Sequence, residues 1–147
     1  MASNPLVSQG VLNRLRGSIV IPNFPELNIT ASFLGKEGIG LAFSGESVTY
    51  IDTMAGQVTS PEPYIGVTLS VALLKTQSLS DLFKQQMELN ALLGDVTVRS
   101  DAITLSVYSL VNCSIKAPRD LRFNGEDAVF GVTIGGFYNV NSSQWDL

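Results

Sequence analysis

Long stretches of this 147-residue chain carry no ionic side chain. Asp, Glu, Lys and Arg are absent from five segments: 27–35, 38–45, 64–74, 102–115 and 128–145. Charged residues make up 15% of the chain, whereas an ordinary soluble domain has roughly 25%. A sheet face in water normally carries Lys and Glu, which hinder sticking between sheets. Segments this neutral therefore indicate faces that other copies of the chain cover, or a smooth inner wall.

Alternation of apolar with small polar residues predicts β-strands in most of these segments. The strongest strand covers 65–73, followed in strength by the last one, 128–140. Shorter strands are predicted at 18–21, 27–33, 39–43, 48–51, 96–98, 103–108 and 111–117. Glycines at both ends of 35–38 predict a hairpin turn there, and the Gly, Pro, Ser and Thr content of 52–63 predicts a long loop. A charged loop is expected at 116–127.

One segment, 79–93, has the apolar spacing of an α-helix. Ser78 is placed to cap its N-terminus, with Asp81 three residues on, and Gly94 is placed to end it. We therefore expect a mainly β fold: an antiparallel two-sheet β-sandwich or barrel with one flanking α-helix. Residues 1–147 form a single domain in this interpretation, with 1–16 as an N-terminal arm.

The residue content leaves little room for catalysis. The chain has no histidine and one cysteine, Cys113, which excludes Ser-His and Cys-His dyads and any His- or thiolate-bound zinc within one chain. Two carboxylate pairs remain. Glu126 and Asp127 are consecutive and would point in opposite directions on an extended chain, and nothing supplies a partner for Glu46 and Asp52. The prediction is no enzyme, no cofactor and no metal.

The formal net charge of −4 argues against a protein that grips nucleic acid, whose binding surface would be basic. An acidic surface would instead repel phosphates, which suits a wall past which DNA must slide. No apolar run approaches the roughly 18 residues that a membrane helix needs, and the N-terminus does not read as a secretory signal.

One stretch of the chain is more telling than the rest: Ile51-Asp52-Thr53-Met54-Ala55-Gly56-Gln57-Val58-Thr59-Ser60-Pro61-Glu62-Pro63-Tyr64, which leads into the strand 65–73 and the helix after Lys75-Thr76-Gln77. With this stretch the sequence resembles the tail tube protein of bacteriophages with contractile tails (myoviruses). The single helix and the long final strand fit the same plan.

The resemblance implies a structural virion protein that shares its fold with bacterial type VI secretion tube proteins. Six-fold rings of such subunits stack head-to-tail into a hollow tube, assembled in the host cytoplasm, through which DNA leaves during ejection. The implied partners are further copies of the chain, the tail sheath protein, and the baseplate and tail terminator proteins. The tape measure protein and genomic DNA would occupy the lumen without sequence-specific binding, and no membrane is involved.

Two sets of residues are candidates for assembly contacts. The lumen or subunit-contact faces are predicted to contain Thr68, Ser70, Ala72, Thr104, Ser106, Gly131, Thr133 and Gly135. The loop 52–63, together with the N-terminal arm, is predicted to mediate ring stacking, with Asp52, Gly56, Pro61 and Pro63 as its candidate residues.

Three other functions stay open. The chain could be the tube protein of a bacterial contractile injection or type VI secretion system, or a ring protein at the tube's end or baseplate that forms one ring only. The alternative from a different class is a small ligand-binding β-barrel, which would have a large apolar interior and a charged exterior.

Overall fold

A computed structural model of the chain describes residues 16–119 and 121–144. The strands are β1 (Gly17–Val20), β2 (Leu34–Ser44), β3 (Val48–Thr53), β4 (Gly56–Pro61), β5 (Tyr64–Leu74), β6 (Leu92–Ser100), β7 (Tyr108–Pro118) and β8 (Val129–Asn139), and the helix α1 covers Leu79–Leu89. Short 3₁₀ turns cover Pro25–Leu27, Ala31–Phe33 and Ile103–Leu105.

Six strands form one sheet in the order β1-β6-β7-β8-β5-β2, and every pairing in it is antiparallel. The sheet curls into a half-barrel, so that Gly17 at the start of β1 comes close to the side chain of Ile39 on β2. The strands β3 and β4 pair only with each other and make a small second sheet. The predicted mainly β, antiparallel fold with one helix is confirmed.

The core lies on the inner face of the half-barrel, where the alternation predicted it. On β5 the buried residues are Val67, Leu69, Val71 and Leu73, and on β8 they are Phe130, Val132 and Ile134. The helix adds Leu79 and Phe83 to the same apolar cluster. Burying such side chains contributes roughly 1.5–3 kcal/mol each, which makes this face the main source of the fold's stability.

The predicted strand 27–33 and the turn at 35–38 are wrong. Residues 25–27 and 31–33 form 3₁₀ turns. Between them, Ile29 makes a single bridge to Ile19 of β1, and Asn28 Oδ1 accepts a hydrogen bond at 2.7 Å from the N–H of Ile21, which follows β1. The segment 35–38 is a bulge inside the continuous strand β2. Glycine at positive φ is common to tight hairpin turns and to one class of β-bulge, so the sequence does not distinguish them; Gly38 has a φ of +66°.

The predicted helix 79–93 is four residues too long, because α1 ends at Leu89. Residues 92 and 93 belong to β6, where Leu93 is buried and Leu92 exposed, as alternate residues of a strand are. Gly94 does not end the helix: its φ of +81° serves a break in register between β6 and β7. The Ser78 side chain makes no capping hydrogen bond.

The long loop predicted at 52–63 is a β-hairpin instead. The strands β3 and β4 pair from Val48 opposite Pro61 to Thr53 opposite Gly56, so only Met54 and Ala55 form the turn. The density of Gly, Pro and Ser hid an alternation in which Ile51 lies opposite Val58. The predicted arm 1–16 lies outside the described residues, except for Arg16.

Candidate assembly surfaces

The face of β2, β5, β8 and β7 that points away from the core is called the outer face here. Its central rows follow from the strand register: Ser70 lies between Gly40 and Thr133, and Thr68 lies between Ala42 and Gly135. Four of the predicted contact residues, Thr68, Ser70, Thr133 and Gly135, are thus adjacent. Together with Gly40, Ala42 and Ser114 of β7 they make a continuous patch of small, uncharged side chains.

One end of the outer face, which contains Ala72 and Gly131, is covered by a cation. The two are paired across β5 and β8, and Ala72 is only 1% exposed. The Arg119 side chain lies across Gly131, where a methyl group would collide with it. Its Nη2 also donates to the Val71 carbonyl at 3.4 Å.

A second cation lies on the same face: the aliphatic part of Lys116 runs over Gly135. The absence of side chains at 131 and 135 is what lets the two long basic residues lie flat on the sheet. The charge-free strand segments therefore do not make a wholly uncharged face, because β7 and the residue after it supply Lys116 and Arg119. Sequence patterning missed this, since it cannot tell which strand is the neighbour of β8.

The other predicted members of this surface lie elsewhere. The strand predicted at 103–108 is wrong: Thr104 is in the 3₁₀ turn Ile103–Leu105. Ser106 has a φ of +62° and lines a cleft between β2 and β6. Neither is part of the outer face.

The β3–β4 hairpin is the second candidate surface, and nearly every residue in it is exposed. Apolar side chains project from both of its faces: Ile51 is 54% exposed, Tyr50 is 61% exposed, and Met54 at the turn is fully exposed at 107%. A two-stranded hairpin is marginally stable by itself in water. Exposed apolar residues on such an element are typical of a contact surface.

The base of the hairpin is tied to the end of β8. Asn141 Nδ2 donates to the carbonyls of Ser47 and Glu62 at 2.7 and 2.8 Å, and the Val140 N–H donates to the Pro63 carbonyl at 3.1 Å. These bonds fix the direction in which the hairpin leaves the half-barrel. Pro63 therefore lies at the anchored base, not in the exposed arm.

The remaining candidate residues of this segment belong to the hairpin's strands. Asp52 accepts a hydrogen bond from Gln57 Nε2 at 2.9 Å across the pair. Gly56 begins β4 beside the turn and Pro61 ends it.

The strand β2 ends the six-stranded sheet. Its edge away from β5 therefore has no strand partner among the described residues, along a stretch that includes residues 39–44. Such an edge presents backbone N–H and C=O groups that can pair with another strand. The positions here are Ile39, Gly40, Leu41, Ala42, Phe43 and Ser44, with no charge to discourage pairing.

Ionisable groups in the described residues behave as structural charges. The Arg16 backbone N–H and guanidinium hold the pKa of Asp101 below its usual value, and the hydrogen bond with Glu88 raises the pKa of Lys84. Burial, with a smaller effect of Asp95, raises the pKa of the Cys113 thiol to about 11. A reactive cysteine has a lowered thiol pKa, whereas the thiol pKa of Cys113 is raised.

A cleft of about 750 Å³ opens where the half-barrel fails to close, between β2 and β6. It is lined by apolar residues such as Leu41, Phe43 and Leu105, with Arg16 and Glu37 among its polar residues. The inside of the curled sheet is filled by the core instead of forming a cavity. Residues 16–119 and 121–144 hold no group of three His, Cys, Asp or Glu residues that could bind a metal ion. No helix within them could cross a membrane.

Comparison with known proteins gives a likeness at the level of structure. No family model matches the chain, and no curated protein matches it either. Among solved structures it is similar to the anti-feeding prophage cap, a tube-terminating cap determined by cryo-EM. The TM-score is 0.48 at 10% sequence identity, over 93% of this chain and 92% of that one. A likeness at this level does not assign a function.

Proposed function

We propose that the protein is a structural subunit of a phage-tail-like particle, in which rings of copies stack head-to-tail into the inner tube of a contractile tail. The observation that carries the proposal is the centre of the outer face, where small uncharged residues run across four neighbouring strands, with Lys116 and Arg119 beside them as the cations of that face. A monomer gains nothing from such a patch of small uncharged residues, and risks aggregation through it. A subunit whose neighbours cover that face, or whose face lines a channel, needs it.

Ring closure has a physical basis in the open edge of β2. A strand from the next subunit can pair with residues 39–44 and continue the sheet beyond β2. Repeated around a rotation axis, such a contact is heterologous and closes into a ring. Six subunits per ring is the number that the resemblance to tail tube proteins implies.

Stacking of rings requires a second contact, between unlike surfaces, so that the assembly continues as a filament. The exposed β3–β4 hairpin is the best candidate, since its anchored base and apolar arm are built to reach another molecule. The partners implied for such a tube are the sheath, baseplate, terminator and tape measure proteins, within a virion.

The outer face also bears on how DNA would pass. If it lines the channel, each subunit contributes Lys116 and Arg119 to the wall, and the wall is not purely acidic. The net charge of −4 would then repel phosphates only through acidic residues that also face the channel, since more distant charges are screened. Removing these two cations should speed DNA release at low salt, where their attraction is least screened.

Electron microscopy of the purified protein tests the proposal. Stacked hollow rings are the expected result, and single rings that never stack would assign the chain to the tube's end instead. Genes for capsid and terminase beside it, as opposed to secretion ATPases, would separate a phage tube from a type VI tube. Monomers at high concentration, with a small molecule bound in the cleft between β2 and β6, would overturn the proposal in favour of ligand binding.

A further inference from the structure

A cleft of about 500 Å³ lies between the start of α1 and the segment that follows β7. Phe130 forms its floor and Leu121 and Phe123 form one side, with Phe123 95% exposed. Lys75, Lys84 and Arg122 lie around it. The cleft thus combines exposed aromatic surface with positive charge, and its size is within the range of pockets that hold a compact ligand.

The cations around this cleft differ in whether they already have a partner within the subunit. The Lys84 ammonium pairs with Glu88 at 3.0 Å, and the Lys75 ammonium donates to the Arg122 carbonyl. The Arg122 guanidinium makes no ion pair within residues 16–119 and 121–144. It is the cation best placed to accept a carboxylate from another molecule, in spite of Asp81 on the helix side of the cleft.

The hairpin tip has the complementary chemistry. Met54 is fully exposed at the turn, and Asp52 stands two residues before it. Methionine adapts its shape and makes favourable contacts with aromatic rings. Only one Asp52 oxygen is hydrogen-bonded, to Gln57, which leaves the other for a cation. The segment 38–74 contains no basic residue, and Glu46 and Glu62 lie at the hairpin base, so Asp52 is the charged residue nearest the tip.

The tip and the cleft lie at opposite ends of the same sheet. The eleven-residue strand β5 starts at Tyr64, beside the hairpin base, and ends at Leu74, beside the cleft residue Lys75. At about 3.4 Å per residue this strand separates them by roughly 34 Å. At this distance the tip cannot reach the cleft of its own subunit. Between copies, a tip at one end and a cleft at the other can make a head-to-tail contact that repeats along a filament.

We propose that the hairpin tip of one subunit inserts into the cleft at Phe123 of the next, with Met54 against the aromatic side chains and Asp52 paired with Arg122. The proposal rests on the proposed function for its place between stacked rings, and it names the receptor surface and the charge pair that set the stacking direction. A second copy of the chain is the occupant because both halves of the contact, with opposite charge, are on this chain.

Cross-linking tests the contact without requiring intact rings. A55C and S80C proteins carry the new thiols beside the turn residue Met54 and in the lining of the cleft, and leave Met54 and Phe123 in place. Mixed at high concentration with a short bis-maleimide, they should give a heterodimer at least about tenfold more abundantly than the control pair L89C and S80C. Leu89 is also highly exposed, at 85%, but lies outside the tip. The native Cys113 is buried with a raised pKa and stays unmodified. Equal yields from the two pairs would overturn the proposal.

Charge exchange tests the pairing in the assembled protein. D52R and R122D should each reduce the number of stacked rings per particle by about tenfold, and the double variant D52R/R122D should restore it, because the pair is re-formed in reverse. E26K replaces an acidic by a basic residue, as D52R does, but at an exposed position outside the hairpin, and it should leave stacking unchanged. Two single variants that stack normally, or a double variant that stays unstacked, would contradict the pair.

The outcomes separate the two proposals. Single variants that still close into rings but no longer stack support both. Normal stacking in all variants removes the tip-in-cleft contact and keeps the tube. A wild-type protein that forms no rings, together with cysteine variants that still cross-link preferentially between the tip and the cleft, keeps the contact and removes the tube.

Discussion

The six-stranded half-barrel and the β3–β4 hairpin contain similar apolar residues, but these residues are buried in the half-barrel and exposed in the hairpin. Leu69 in the centre of β5 is 0% exposed, whereas Ile51 in the centre of β3 is 54% exposed. Both lie in antiparallel pairs with branched apolar neighbours. The half-barrel covers its apolar face with its own helix and loops, while the hairpin has nothing in the described chain to cover it. The difference teaches that the hairpin, unlike the half-barrel, leaves its apolar residues uncovered within the described chain, which the proposed contact with another subunit would cover.

The largest expected effect is a difference in the free energy of unfolding that each region loses when one apolar side chain is truncated. Leu69→Ala should lower the free energy of unfolding by about 2–5 kcal/mol, because it leaves a cavity in a closed core. Ile51→Ala, a truncation of similar size, should lower it by at most about 1 kcal/mol, the value of a cross-strand pair. Urea denaturation of dilute protein measures both. Equal losses would mean that the hairpin is packed within the subunit.

The second prediction uses pH to probe the closed core alone. Burial raises the pKa of Cys113 from its usual value near 9.0 to about 11, so the folded protein keeps the proton while the unfolded chain loses it. Stability should therefore be intact below pH 9 and fall as the pH rises toward 11, by about 2 kcal/mol. Comparing wild type with Cys113→Ala across this range isolates the effect from other groups. Parallel curves for the two proteins would show that the thiol is accessible to water.

The third prediction concerns the register break at Gly94. A methyl group there would lie 2.3 Å from Asn23 Nδ2, on a backbone with φ of +81°, so Gly94→Ala should lower the free energy of unfolding by about 1–2 kcal/mol. Gly125 has no atom within 4 Å of such a methyl group, and Gly125→Ala is the matched control with no expected loss. Thermal unfolding distinguishes them. A stable Gly94→Ala protein would argue against the register break between β6 and β7.

These positions also show how much the sequence could predict. The period-two pattern gave β5 and β8 correctly, because a strand buried on one face leaves its signature in every second residue. The strand predicted at 48–51 lies within β3, whereas β4 lies inside the segment 52–63 that is predicted as a loop, because turn-forming residues outweigh Val58 there. The same alternation predicts that Thr68, Ser70, Thr133 and Gly135 lie on strand faces opposite the core, but their adjacency follows only from the strand pairing. Lys116 and Arg119 were missed, because their position over Gly135 and Gly131 depends on which strands are neighbours.

The smallest effect is expected at the surface ion pair of Arg16 and Asp101. The pair lowers the pKa of Asp101, so its small stabilisation should be present above the ordinary aspartate range and disappear as the pH falls through the lowered pKa. Asp101→Asn should differ from wild type only above that range, and less so in high salt. A difference that persists at pH 2 would mean that the substitution disturbs packing and not charge.

Hydrogen exchange tests the central claim, that another copy covers the hairpin. In dilute single subunits the amides of β3 and β4 should exchange far faster than those of β5, since a lone hairpin opens easily. In assembled particles the hairpin amides should slow by at least about tenfold, a free-energy difference of some 1.4 kcal/mol, while those of β5 stay as they were. Hairpin amides that exchange equally fast in single subunits and in particles would contradict the account.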